Sequence, residues 1–359
     1  MFSLYIHIPF CEKKCNYCNF YIVPFFQVEG MKNRYLQALK QELLQKKALL
    51  KDNKIYTIYF TPSEFIQRII ELLNFIKEQF DISNIEEFNF ELNPSPLDQS
   101  LKFIYTLKDF FKNITRFSII QSLEDEVLKK SNRNYDYKLI EKFLDSIDTT
   151  NFKLNLDFIS FGIEKNIDIF DNFLKKYNKK IDSLSIYTLE LFPGSIWQTH
   201  YKVDEEKIVN IFEKNIYIAK KYGFYRYEIS NFAKNEFFES KHNKVYWTLQ
   251  EYLIVSASFI QNTRYTNSFS IQNYIEKKFD YQEKKFLSKD DFYIEKFFLL
   301  LRTNKGFTLD ENIKKYLNLD KLEELIKTYI DKDKNKNTIF LNDKFLVYNY
   351  LITEILEKI

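Results

Sequence analysis

CEKKCNYC, residues 11–18, holds every cysteine of a 359-residue chain. Its CxxxCxxC spacing can gather three thiolates around one small inorganic centre. Three chemistries are open to such a loop: structural zinc with His7 as fourth ligand, three free thiols, or a [4Fe–4S] cluster on Cys11, Cys15 and Cys18. Structural zinc usually brings two knuckle-like ligand pairs, and only half of that is present. Three thiolates on a four-iron cluster leave one iron without a protein ligand.

An iron left open is useful only when something else binds it. The amino and carboxylate groups of S-adenosylmethionine (SAM) can do so, after which an electron from the reduced cluster can cleave the sulfonium. Tyr17, directly before Cys18, would shield such a cluster from water. The loop follows a short apolar run, LYIHIPF, and that position matters. Strand patterns fall at residues 4–8, 55–60, 88–92, 116–119, 153–159, 183–188 and 225–229. Helical periodicity fills residues 33–51, 63–80, 97–112, 136–147, 167–177 and 204–222 between them. Six or seven such alternations predict an α/β fold with a parallel sheet, open or closed into a barrel. Chemistry in these folds sits where the carboxyl ends of the strands run into loops, which is where the cysteines lie.

The alternation stops near residue 270. Helical segments at residues 290–302, 309–316 and 321–331 lead to a hairpin-like stretch, NTIFLNDKFLVYNYL, and DKDKNKN before it reads as a turn. Two domains are expected, residues 1–270 and a small α+β, winged-helix-like unit at 271–359. Lys+Arg 53 against Asp+Glu 50 is too even a balance for nucleic acid as the main partner. Gly 5 and Pro 6 are sparse, Tyr 26 and Phe 37 abundant, and lysine far outnumbers arginine. An AT-rich genome writes such a composition, so glycine motifs are prone to erosion. No secretory leader and no apolar run of spanning length is present, so a cytoplasmic protein is expected, with peripheral membrane contact still open. An odd cysteine count in that compartment favours metal or redox chemistry over a disulfide framework.

LYIHIPFCEKKCNYCNF, FELNPSP, ITRFSIIQSLEDEVLKKSNR, LNLDFISFG, IDSLSIYTLELFPGS, YRYEISNFA and HNKVYW together resemble the radical SAM enzymes, within them the oxygen-independent coproporphyrinogen III oxidase group. These stretches run in the family's order over residues 4–247. The resemblance implies a partial (β/α)6-type barrel. It also implies SAM contacts at Tyr5, Tyr17, Thr61, Glu91, Gln121, Arg133 and Asp157. An arginine can fork onto the methionine carboxylate, and carboxylates can accept from the ammonium and ribose hydroxyls.

The group holds decarboxylating oxidases and a sister branch of heme chaperones, the HemW branch. The oxidases continue the cysteine motif to a fourth cysteine, where this chain has Phe20, and carry a sizeable segment before the motif, which here begins almost at Met1. HNKVYW resembles the HNxxYW heme motif of the chaperone branch, which implies His242 as an axial iron ligand and Tyr246 and Trp247 as porphyrin walls. A hydrogen-bonded histidine beside an aromatic pair is the plainer reading of those residues taken alone.

The sequence also departs from the family. The glycine-rich stretch that ends in Thr-Pro reads IYTIYFTPSEF here, with Thr61 and Pro62 kept and the glycines deleted. Gly-Val-Gln has become residues 119–121, IIQ, and the Gly-Leu-Pro-Gly turn residues 162–165, GIEK. Only glycine lets a backbone take positive φ freely and approach a ligand closely. A divergent heme chaperone is therefore expected, with a [4Fe–4S] cluster, heme as cargo for an acceptor such as a cytochrome, and weakened SAM binding. Radical SAM decarboxylation of coproporphyrinogen III is the competing reading, and a pseudoenzyme kept for its fold a third. An exposed apolar patch for the acceptor is sought in YLIVSASFIQN, where a core strand is the plainer assignment.

Overall fold

Polar and apolar residues alternate along the strands, and this period of two sets the architecture. The computed structural model describes the chain apart from residues 25–29, 49, 51, 62–65, 109, 112–114, 120–121, 167, 200, 258–259, 262–264, 267–270, 277–278, 280–282, 285–287, 309, 327–329, 334–337 and 342–359. In chain order the elements are β1 (Phe2–His7), β2 (Phe10–Cys11), β3 (Val23–Pro24), α1 (Lys32–Lys47), β4 (Ile55–Thr61), α2 (Ile66–Gln79), β5 (Glu87–Glu91) and α3 (Leu97–Leu107). There follow β6 (Thr115–Ile119), α4 (Asp125–Lys130), α5 (Tyr137–Ser146), β7 (Lys153–Ser160), α6 (Ile169–Tyr177), β8 (Ser183–Thr188) and α7 (Glu205–Lys221). β9 (Tyr225–Arg226), β10 (Asn231–Ala233), α8 (Lys241–Trp247) and β11 (Tyr252–Val255) complete the main sheet and its floor.

The sheet runs β11-β1-β4-β5-β6-β7-β8-β10-β9. From β11 to β8 all pairings are parallel, while β10 and β9 are antiparallel at one edge. Six strand–helix repeats, β1 to α7, thus form an open, partial barrel. The expected strand at residues 225–229 is only a two-residue antiparallel pair, because the backbone reverses there, with the Tyr227 amide donating to the Asn231 carbonyl (3.1 Å) and the Asn231 amide to that of Glu228 (3.3 Å). YLIV of the YLIVSASFIQN stretch is the edge strand β11, with Ile254 and Val255 buried.

One face of the sheet meets the helices and is aromatic. Phe90 stacks on Phe60 at 5.3 Å and meets Phe103 of α3 edge-on at 5.4 Å. The other face turns inward and is polar. In register lie Ser3 beside Thr57, Tyr5 beside Tyr59 and His7 beside Thr61, followed on β5 by Glu87, Asn89 and Glu91. An open barrel lined this way needs a floor, and residues 236–247 supply it. A short turn of helix, Glu236–Phe238, leads into α8, whose N-cap Ser240 accepts from the Asn243 amide.

Glu87, fully buried, holds that floor. Its carboxylate accepts from Ser240 Oγ (3.0 Å), the amides of Lys241 (3.1 Å) and His242 (3.0 Å), and Asn89 Nδ2 (2.9 Å). Arg116 lies 3.8 Å away as its counter-charge. Lys153 donates to the Phe237 carbonyl at 2.7 Å, and burial lowers its pKa to about 8. Although burial works against the charged carboxylate, Arg116, Lys153 and the His242 amide hold Glu87 below the usual range.

The barrel core continues past residue 270. α9 (Ile271–Ile275) packs on α1, with Tyr274 5.0 Å from Tyr35 and its hydroxyl donating to Glu42. Beyond a small sheet of β12 (Ile260–Gln261), β13 (Tyr265–Thr266) and β14 (Glu283–Lys284) come α10 (Lys289–Leu300), β15 (Phe307–Thr308), α11 (Glu311–Lys314), α12 (Leu319–Ile326), β16 (Ile330–Asp333) and β17 (Thr338–Leu341). Helix–strand–helix–helix–strand–strand is the order of a winged helix, and the three strands form one antiparallel sheet. The hairpin forms between β16 and β17; most of the stretch expected to hold it lies outside the described residues.

Breaking a buried ion pair on one side costs roughly 3–5 kcal/mol. Glu87→Gln should therefore lower unfolding stability by that order in urea titration, while Tyr217→Ala, at a side chain 71% exposed, should change it by less than ~0.5 kcal/mol. The sign with pH follows from the depressed pKa: the Glu87 contribution is full above the unfolded carboxyl's value and is lost as pH falls through the lower folded one. A wild-type deficit in Glu87→Gln that persists unchanged into acid would contradict this assignment.

Candidate cofactor site

The cysteine loop is positioned by what it grips. Cys11 ends β2, paired with Pro24 of β3, and the Cys18 amide donates to the Cys15 carbonyl (3.1 Å). Across the barrel mouth, the Asn16 amide donates to the Ser131 carbonyl (3.1 Å) and Asn16 Nδ2 to that of Lys130 (2.7 Å). Asn132, at φ 66°, donates from Nδ2 to the Lys14 carbonyl (2.8 Å). On the other side the Trp197 amide reaches the Asn16 carbonyl (2.9 Å), and Lys14 Nζ the Gly194 carbonyl (3.3 Å). All three cysteines are outside any disulfide and partly accessible.

His7 is excluded as a fourth ligand by its own bonds. Its Nε2 faces the Tyr21 carbonyl (3.1 Å), which can only accept, so Nε2 carries the proton and Nδ1 accepts from Thr61 Oγ1 (2.7 Å). Burial lowers its pKa to about 4. Among the described residues no three His, Cys, Asp or Glu side chains converge on a point that would hold a single metal ion. A four-iron cluster places each thiolate on a different iron, so it asks for a wider spread of sulfurs than one zinc ion does.

Arg133 sits at the centre of the expected SAM contacts. Nη2 donates to the Tyr17 hydroxyl (2.6 Å) and Nη1 to Asn93 Oδ1 (2.9 Å), while Nε is buried without a hydrogen bond. The Tyr135 hydroxyl and Ser160 Oγ are likewise buried and unbonded. Buried polar atoms normally find partners, so this set suits a polar ligand. Burial pushes the Cys18 thiol up, opposed by Lys14 and Arg133, whose charges favour the thiolate a metal needs.

Glu91, at the end of β5, and Asp157, within β7, are the acidic half of the site. Glu91 accepts from the Tyr59 hydroxyl (2.9 Å), and burial with the nearby Asp157 charge pushes its pKa up to about 7. Asp157 accepts from Asn155 Nδ2 (2.8 Å) and is pushed up by burial to about 6. Two carboxyls held short of full ionisation would ionise fully once a cation such as an ammonium or sulfonium came between them. Tyr5 is buried against Tyr59 (5.7 Å) on the same side. Thr61 is engaged by His7, and Gln121 lies outside the described residues, as does the chain directly after Thr61. Gly162 keeps a family glycine for a local reason: at φ +77° a Cβ there would meet Ile208 Cγ1 at 2.8 Å.

HNKVYW folds as α8, beneath this site. His242 is wholly buried. The Thr57 hydroxyl donates to Ser3 Oγ (2.8 Å), so it accepts from His242 Nδ1 (2.6 Å), which leaves Nε2 to accept from the Tyr246 hydroxyl (2.7 Å). Burial lowers its pKa to about 3. In this arrangement neither ring nitrogen is available to iron, contrary to the axial-ligand expectation. Trp247 lies under the Arg302 guanidinium at 4.2 Å, with Nε1 buried and unbonded, and Tyr246 meets Tyr252 at 4.8 Å. The apolar patch sought in YLIVSASFIQN is not found in β11. Large exposed apolar side chains instead flank the cysteine loop, at Phe20, Phe192 and Ile196.

Tyr59, Asn93, Tyr135 and Glu87 were not singled out from the sequence. Tyr59 and Glu87 had a signal, since both share the inward parity of Tyr5 and Glu91 on their strands. Asn93 lies in the quoted FELNPSP, two positions from Glu91.

Glu91→Gln provides a test of this electrostatic picture in cluster-free protein. The folded carboxyl keeps its proton to about pH 7, whereas the unfolded one releases it near ~4.3. Between those values the native state binds more protons, so wild-type stability falls as pH rises through the window. The variant should gain roughly 2 kcal/mol or more at pH 8, shrinking to nothing near pH 4. Parallel stability–pH curves for the two proteins would sink the assignment.

Comparison with known proteins agrees with the geometry. The Radical SAM superfamily description matches residues 5–177. "Heme chaperone HemW" of Buchnera aphidicola subsp. Schizaphis graminum is 30% identical over 94% of this chain and 92% of its own length. HemW of Bacillus subtilis is 28% identical over 88% and 87%. Among solved structures, Escherichia coli coproporphyrinogen III oxidase, HemN, a radical SAM enzyme, superposes with TM-score 0.75 over 98% of this chain and 89% of its own, at 19% identity, a likeness of fold. With its cysteine loop following β1, its partial barrel and this relationship along nearly its whole length, the chain belongs to the radical SAM superfamily and, within it, to the HemW family.

Proposed function

We propose that the protein is a heme chaperone that binds a [4Fe–4S] cluster and heme and passes heme to a hemoprotein acceptor such as a cytochrome. The observation that carries the reading is one chain holding both a three-cysteine loop at the barrel mouth and the HNKVYW helix in the barrel floor, within a family whose relatives are named for heme. Cys11, Cys15 and Cys18 would hold the cluster, which supplies single electrons when bound. Arg133, fixed by Tyr17 and Asn93, would bind a carboxylate. Glu91 and Asp157 would receive an ammonium, with Tyr59 steadying Glu91. Tyr17 packs edge-on to Phe161 at 5.5 Å, which closes that side of the loop to water.

SAM binding is weaker than in relatives with the glycine-rich segment. Thr61, the residue kept from that segment within the described chain, has its hydroxyl turned to His7. Iron ligation by His242 requires α8 to leave its place, since both ring nitrogens are engaged. Phe20, where the oxidases carry a fourth cysteine, is 44% exposed, and Phe192 and Ile196 are exposed on the segment that bonds Lys14 and Asn16; these side chains offer apolar surface to the acceptor. No described helix is long and apolar enough to cross a membrane.

Heme titration of anaerobically cluster-reconstituted protein, followed by the Soret band, should show saturable binding and transfer to an apo-hemoprotein. His242→Ala also removes a buried, doubly bonded ring and should lower the unfolding midpoint. The informative comparison is therefore spectral: if α8 opens to let His242 bind, the histidine-ligated spectrum disappears in the variant even at saturating heme. Absence of saturable heme binding by wild type, together with propionate decarboxylation of coproporphyrinogen III, would replace this reading with the oxidase one.

A further inference from the structure

The inward-facing rings of the barrel form an unbroken series from mouth to edge. Tyr5, within electrostatic reach of Cys18, stacks on Tyr59 at 5.7 Å and 25°. Tyr59 lies 5.1 Å from the His242 ring, His242 5.2 Å from Tyr246, and Tyr246 4.8 Å from Tyr252. Sheet parity sorts the ring types: phenylalanines such as Phe60, Phe88, Phe90 and Phe117 face the helices, and phenols face inward. Phenylalanine is inert to mild one-electron oxidation, whereas a phenol is oxidised readily when its proton has an acceptor.

Two of these phenols donate to a carboxyl or an imidazole. The Tyr59 hydroxyl donates to Glu91 Oε1 at 2.9 Å, and the Tyr246 hydroxyl to His242 Nε2 at 2.7 Å. Trp247 would be the easiest ring to oxidise, but the Arg302 guanidinium lies 4.2 Å above it and opposes positive charge on the indole. The series therefore leads past Trp247 to Tyr252, which is half-buried at the start of the edge strand β11.

We propose that Tyr5, Tyr59, Tyr246 and Tyr252 relay single-electron oxidising equivalents away from the cysteine loop to the sheet edge. The oxidant is an organic or oxygen-derived radical formed at the loop. It takes one electron from Tyr59 by way of Tyr5 and is left as its anion; the Tyr59 O–H bond breaks, its proton passes to Glu91 in the carboxylate form, which is populated above about pH 7, and a neutral phenoxyl remains. Tyr246 then gives its electron to Tyr59, which recovers its proton from Glu91, while the Tyr246 proton moves to His242 Nε2. Tyr252 supplies the next electron, Tyr246 recovers its proton, and the proton of Tyr252 leaves to solvent. A soluble one-electron reductant of the thiol or ascorbate class restores Tyr252 with a proton from water. Such a relay spares the cysteine loop from damage, and it stands whether or not heme or SAM binds.

The test uses the full-length, cluster-free chain with Cys15→Ser and Cys18→Ser and a ruthenium polypyridyl photosensitiser on Cys11, the remaining thiol. A flash with a cobalt(III) pentaammine electron acceptor present should give a tyrosyl radical by electron paramagnetic resonance. Nitroso spin-trap adducts mapped by mass spectrometry should fall on Tyr246 and Tyr252. Tyr59→Phe should cut those adducts at least fivefold, and Tyr246→Phe should abolish the adduct at Tyr252 while radical persists at Tyr59. Both variants keep the ring and lose one oxygen, and either suffices should the other fail to fold. Adducts confined to Tyr17 and Tyr21 beside the label, or equal yields at Tyr252 in wild type and both variants, would overturn the relay.

Discussion

Glu87 is the group on which the barrel interior depends. A buried carboxylate loses several kcal/mol of hydration unless charge and hydrogen bonds replace it. Here Arg116, Lys153, Asn89 and the start of α8 do so together. The reverse also holds: α8 is a seven-residue helix, too short to be stable alone, and a fixed anion at its first amides offsets its exposed N–H groups. Sheet and floor therefore stabilise each other, and the aromatic and acidic groups above inherit their positions from that contact. Arg302 extends the linkage outward, since it pairs with buried Glu228 at 2.8 Å while covering Trp247.

Above the floor, the molecule stores unfavourable electrostatics instead of removing them. Glu91 and Asp157 face one another's fields with Arg133 as the shared cation, and Arg133 keeps a buried Nε without a partner. A sequence selected for stability alone would fill this space with apolar side chains, as it does on the opposite face of the same strands. The difference between the faces is thus a difference in purpose, and strained polar groups of this kind belong to binding sites.

Much of this was legible in the sequence because parallel strands leave a plain record. Six strands and one helix after each could be placed from periodicity, though not the short α4, and the cysteine loop from its position after the first strand. Glu91, Arg133 and Asp157 were reachable through their motifs. What could not be read was long-range. Nothing local to HNKVYW says that Glu87, more than 150 positions earlier, receives its backbone, or that Thr57 and Tyr246 occupy both nitrogens of His242. A histidine's role is set by what its nitrogens face: Tyr246 is one turn away on the same helix, but Thr57 comes from β4 and Glu87, which takes the backbone amide, from β5. The short antiparallel β9 and the core position of α9 were missed for the same reason, since tertiary contacts outweigh weak local patterns.

The eroded glycines fit this division of labour. The cysteine loop is anchored to β3, to residues 130–132 and to Trp197, none of which belongs to the deleted glycine-rich segment. Its geometry can therefore survive a loss that removes close backbone approach to a bound SAM. The floor helix is equally independent, being tied to β1, β4 and β5 through Ser3, Thr57 and Glu87. Mutational pressure against glycine thus acts unequally on the three sites proposed for one barrel. Cluster and floor rest on side-chain contacts that an AT-rich code still writes freely, with Asn, Lys, Tyr and Phe. Close backbone approach to SAM in the family rests on glycine, whereas the side-chain contacts proposed at Arg133, Glu91 and Asp157 do not. A chain drifting under that pressure loses SAM affinity before it loses its cysteine loop or its α8 helix.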